Sequence, residues 1–86
     1  MPIISRFYGI IIRMFHNDHL PPHFHAIYGE YELIVGISPI KILLGKAPNR
    51  VCSMVIEWAG LHQQELVENW ERCRRAEQPR SIDSLE

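Results

Sequence analysis

The sequence predicts an α+β domain, a small antiparallel sheet of three or four strands packed with one long C-terminal helix. Three observations carry this. Short runs rich in Ile, Val and aromatic residues, bounded by Gly, Pro, Asn and Asp, fill the chain as far as Leu44. Two alternating runs flank the dipeptide Gly29-Glu30, as in a β-hairpin. From Val51 to Cys73 the apolar residues recur instead at helical spacing.

Phe7 to Phe15 reads as the first strand, too short and too rich in Ile and aromatics for a buried helix. Asn17 to Pro22 reads as a turn that Pro21 and Pro22 stiffen, because each proline fixes its own φ and biases its predecessor towards extended backbone. His23 to Tyr28 and Tyr31 to Ile37 form the hairpin, with Gly29 at the first central position of a type II′ turn. That two-residue loop sets the register: Tyr28 opposite Tyr31, Ala26 opposite Leu33, Phe24 opposite Val35 on an apolar face. The other face then carries His23, His25 and Ile27 against Glu32, Ile34 and Gly36. Ile40 to Leu44, just after Pro39, is expected at a sheet edge.

The helix is expected from Pro48, where a missing N–H costs nothing, to about Arg75. Gly60 is its weak point, worth about 1 kcal/mol against Ala, and a place for a bend. Val51, Val55, Trp58, His62, Leu66, Asn69 and Cys73 form one stripe, which Cys52, Ile56, Ala59, Val67 and Trp70 widen. So wide an apolar arc calls for a second layer or a docked partner, and a homodimer or a small cognate protein are the expected partners.

The 86 residues make one α+β domain over 1–77, with a flexible polar tail over 78–86. A chain of this size buries only about 60–65% of its unfolded surface, so association would supplement a modest core. Hydrophobic content of 47% and charged content of 22% mark a globular chain rather than a disordered one. A net charge of −1 argues against a strongly electrostatic nucleic-acid binder, although Arg72, Arg74, Arg75 and Arg80 cluster late in the chain. Cys52 and Cys73 lie 21 residues apart in the expected helix. That is roughly 30 Å on a continuous axis, too far for a disulfide, so both read as core thiols of a reducing cytoplasm. Neither a cleavable leader nor a membrane-length apolar run is seen, and a cytoplasmic location is expected.

The most chemically loaded stretch is His16-Asn17-Asp18-His19-Leu20-Pro21-Pro22-His23-Phe24-His25, with four of the five histidines. A borderline divalent metal such as zinc needs three or four converging N, S or O ligands. His23 and His25, two apart on one strand face, make a two-point clamp that Asp18 and His19 complete as third and fourth ligands. The bland alternative is that Asp18 and His19 satisfy backbone groups in the turn while His23 and His25 line a half-exposed strand. His62 is a further candidate: in mid-stripe, with Glu65 at i+3 and Asn69 at i+7, it is either a carboxylate-oriented general base or a core histidine capped by Asn69. The catalytic candidates are therefore His19, His23, His25 and His62. The serines lack a nucleophile-elbow context, and Gly45-Lys46 lacks the rest of a phosphate-binding loop.

These residues resemble a bacterial family, domain of unknown function 4160. The likeness rests on Ile4 to Gly9, Asn17 to His25, Tyr28-Gly29-Glu30, Glu57-Trp58-Ala59, Leu61-His62 and Glu68-Asn69-Trp70. At His16 the family carries an aromatic residue, which sets His16 apart from the ligand candidates. The resemblance implies signature positions at Asn17, Asp18, His19, Pro21, Pro22, His23, His25, Trp58, His62 and Trp70. It also implies a toxin–antitoxin-like pairing with a second small protein, a label that rests on gene arrangement. Two functions follow as expectations. One is an interaction module, a component of such a pair. The other is a metal-dependent or His-based hydrolase, RNA-directed in one form, using the histidine loop.

Overall fold

In the computed structural model, which describes residues 2–16 and 19–86, five strands are followed by two helices. They are β1 (Ile3–Phe7), β2 (Ile10–Arg13), β3 (His23–Tyr28), β4 (Tyr31–Ile37), β5 (Ile40–Lys46), α1 (Asn49–Leu61) and α2 (Gln63–Arg74). The strands form one antiparallel sheet in sequence order. The α+β class stands, but three or four strands with a single long helix is corrected on both counts.

The extra strand comes from splitting the run Phe7–Phe15. Tyr8 and Gly9 both take positive φ, 50° and 80°, and turn the chain back on itself. Ile3 to Phe7 then pairs with Ile10 to Arg13. The helix breaks at His62, two residues beyond the weak point expected at Gly60. His62 takes φ −125° and ψ 26°, outside the helical well. Its N–H still reaches the Trp58 carbonyl, and its carbonyl accepts the Leu66 N–H, so the buried stripe runs on through the junction. Val51, Val55, Trp58, Leu66, Asn69 and Cys73 are all buried. The Gln63 side-chain amide donates to the Ile37 carbonyl at 2.7 Å, tying the start of α2 to the end of β4.

The β3–β4 hairpin has the expected register, with Tyr28 opposite Tyr31 and Phe24 opposite Val35. One face of the sheet, with Ile12, Phe24, Ala26, Leu33 and Val35, packs under Val51, Val55 and Trp58 of α1. The Trp58 ring lies 5.7 Å from Phe24 and 5.4 Å from Phe7. On the other face one row runs Arg13, His25, Ile34, Leu44 across four strands; the next runs Ile11, Ile27, Glu32, Lys46.

β5 occupies an edge, as expected, and is irregular there. A bulge opposite Ile34 and Val35 inserts Leu43 as an extra residue. Gly45 takes φ 100°, and a Cβ at that position would run into the Glu32 carbonyl oxygen, so only glycine fits.

Residues 77–86 carry no regular structure, yet they lie across the domain. The Ile82 N–H donates to the Ile4 carbonyl at 2.7 Å on the β1 edge, and the Ile82 side chain joins the core. Trp58 Nε1 donates to the Asp83 carbonyl, and Asn69 exchanges two 2.8 Å hydrogen bonds with the Arg80 backbone. The sequence signature of this segment is polarity; its placement comes from Ile82 in the core, Leu85 packed against it, and side-chain hydrogen bonds of Trp58 and Asn69 on the helices.

Cys52 and Cys73 are free thiols on separate helices. Cys52 Sγ donates to the Ala47 carbonyl at 3.6 Å, while burial pushes the Cys73 thiol above its ordinary pKa.

Candidate functional site

The histidine loop enters β3 at His23. Because side chains alternate along a strand, His23 and His25 lie on the face opposite Phe24. Their ring centroids are 5.3 Å apart, and the His19 ring lies 5.8 Å from that of His23. Three imidazoles therefore follow one another from the loop into the strand. Asp18, expected as the fourth ligand, lies outside the described residues, as does Asn17.

The two strand histidines have their tautomers set by neighbours. His23 Nδ1 donates to the Pro21 carbonyl at 2.7 Å, and a carbonyl can only accept. His25 Nδ1 donates to Glu32 Oε2 at 2.9 Å. In each neutral ring Nε2 is then the nitrogen that carries the lone pair. An imidazole whose other nitrogen is held by a carbonyl or carboxylate is the arrangement seen around metal-bound histidines and general bases. The stiff Pro21-Pro22 segment thus supplies the acceptor for His23, and the hairpin register brings Glu32 to the face of His25.

The rings are also packed. Trp70 of α2 lies 5.3 Å from His23, and Phe15 meets His25 edge-on at 4.6 Å. His23 is buried, His25 half-buried and His19 exposed. The Trp70 contact escapes sequence reasoning because it depends on α2 turning towards the end of the sheet. Glu32 was legible, since the hairpin register already placed it on the histidine face.

Among the described residues no group of three or more His, Cys, Asp or Glu side chains is arranged to hold a metal ion. A cavity of about 430 Å³ is lined by Pro2, Phe15, His16 and Gln78 rather than by the three clustered histidines. His16 is exposed at its wall.

His62 belongs to a different constellation. Its Nδ1 donates to Glu65 Oε1 at 2.6 Å, and its ring lies 5.6 Å from Trp58. The expected carboxylate is present. Asn69 is not its cap, being committed to the Arg80 backbone.

A second surface stands out at β5. Its bulge turns two consecutive leucines onto the outer face, Leu43 over Gly36 and Leu44 beside Ile34. They are 38% and 66% exposed, with Ile42 at 37% on the helix side. Natural sheets rarely leave an edge strand so apolar.

Residues 9–71 match the family model described as Domain of unknown function (DUF4160). The chain belongs to this family. The matched span runs from Gly9 through the histidine loop and the hairpin to the last turn of α2. It excludes residues 77–86 and all of β1, the two segments that meet at Ile4 and Ile82. Comparisons with curated proteins and with solved structures find no match. No helix among the described residues is long and apolar enough to cross a membrane.

Proposed function

We propose that this member of the family is a protein-interaction module, one component of a toxin–antitoxin-like pair, and that it docks a partner protein on its β5 side. The observation that carries this reading is the exposed Ile42-Leu43-Leu44 run on an edge strand. Burying such side chains stabilises a complex by about 25 cal/mol per Å² of apolar surface removed from water. Leaving them in solvent also exposes the chain to non-specific pairing. A photo-crosslinking amino acid at position 44, with a control at the exposed Arg6 of β1, tests it in the native host. The expected result is a discrete protein adduct from position 44 alone. Equal, diffuse labelling from both positions would refute it.

A second reading, a metal-dependent or His-based hydrolase, is favoured by one specific observation: the Nδ1 hydrogen bonds of His23 and His25. In that reading His19, His23 and His25, with Asp18, are the ligand candidates for a divalent metal such as zinc, and His62 is a separate base candidate. The test is elemental analysis of untagged protein beside the His23→Ala/His25→Ala double variant. Near-stoichiometric metal that the variant loses supports this reading. A folded protein that takes up no metal on reconstitution removes its metal-dependent form.

A further inference from the structure

We infer that the segment docking on β5 is apolar at its centre and acidic on both flanks, a step that rests on the module reading above. The argument begins with charge. Lys41 pairs with Gly36 and Lys46 with Glu32, so both lysines stand on the outer face, bracketing Leu43 and Leu44. The bracket is about 15 Å long, from about 3.3 Å per residue less the bulge. Neither lysine enters an ion pair among the described residues. Glu32, the carboxylate across from Lys46, is held by His25 Nδ1. Two exposed cations therefore frame an exposed leucine pair.

The same framing works against a second copy of this chain. The bulge puts Leu43 and Leu44 on one face, so an antiparallel self-pairing matches faces along the strand only when its two-fold passes between them. In that register Lys41 stands opposite the partner copy's Lys46 at both ends. Like charges directly opposed across strands destabilise the pair. An acidic residue at each flank of a different partner converts both repulsions into attractions while keeping the apolar centre. Discrimination by an introduced repulsion is how specific interfaces commonly reject the wrong partner.

The β1 edge offers no comparable site. The chain's own segment holds it through the Ile82 N–H to Ile4 carbonyl bond, and no remaining described segment is placed to do the same for β5.

The test uses a short fluorescein-labelled peptide with an alternating Val/Thr centre flanked by glutamates, and its twin flanked by lysines. Anisotropy titrations of the whole chain should show the glutamate peptide binding about tenfold or more tightly than its twin at low salt, an advantage that salt erodes. The Lys41→Glu/Lys46→Glu double variant, with circular dichroism unchanged, should reverse the order. Equal binding of the twins, no binding of either, or an order the double variant leaves unchanged would overturn the inference. So would a sedimenting dimer that Leu44→Glu dissolves, since a second copy would then be the occupant. If the position-44 adduct forms but flank charge is without effect, this inference fails and the module reading survives. If no adduct forms, the module reading itself fails.

Discussion

At the β1 edge an amide from the chain's own C-terminal segment bonds the Ile4 carbonyl and an isoleucine enters the core, whereas at the β5 edge two exposed leucines lie on the outer face between two lysines, with an exposed isoleucine on the helix side. Both edges end the same sheet, and among the described residues the segment around Ile82 meets only the first. An edge closed from within contributes to folding stability. An edge left apolar contributes chiefly when something binds it. The same aliphatic truncation should therefore have opposite consequences at the two edges.

The largest effect is expected at Ile82. Only 5% of it is exposed, so Ile82→Ala should lower stability by about 2–4 kcal/mol in urea unfolding. A loss below about 0.5 kcal/mol would mean that the segment contributes little to the closed edge. Gly45→Ala comes next, at about 2–3 kcal/mol, because positive φ and the nearby Glu32 carbonyl both resist a Cβ. It should loosen β5 from β4, visible as faster hydrogen exchange at β5 amides while those of β2 and β3 stay protected. Asn69→Ala, which strands the Arg80 N–H and carbonyl, should cost about 2 kcal/mol and raise exchange at Ile82. The smallest effect is expected at Leu44: Leu44→Ser should change stability by less than about 0.5 kcal/mol yet abolish partner association. A large stability loss there would erase the contrast between the edges.

A thiol probe sharpens the contrast without altering a side chain. Cys52 is half-buried and bonded to Ala47 just after β5, whereas Cys73 is buried with its thiol pKa raised. At neutral pH Cys52 should label first, and Cys73 at the rate of global opening, because the reactive thiolate is scarce and enclosed. A partner seated on the β5 side should slow Cys52 and leave Cys73 unchanged.

Part of the candidate site is legible in the amino-acid sequence. The two-residue Gly29-Glu30 loop sets the register, and register alone places His23, His25 and Glu32 on one face. The His62–Glu65 pair likewise follows from i,i+3 spacing on a helix. Trp70 against His23 did not follow, nor did Asn69 turning to Arg80 instead of His62, since both depend on where separate segments cross.

What local chemistry decides, the order of residues specified unaided. Turn residues, alternation and helical periodicity led to the α+β class, the β3–β4 hairpin, the edge position of β5 and the buried stripe of the helices. Their signals lie within a few residues of one another. Tertiary packing decided the fifth strand, the break at His62, the two leucines sharing one face and the closing of one sheet edge but not the other. The run Phe7–Phe15 reads equally well as one strand or as two around Tyr8-Gly9, until a third strand fixes its pairing. The break at His62 coincides with a tie between Gln63 and Ile37, far apart in sequence. Ile82 in the core, Leu85 packed against it, and side chains of Trp58 and Asn69 place the C-terminal segment, and such long-range contacts leave no periodic trace along the chain.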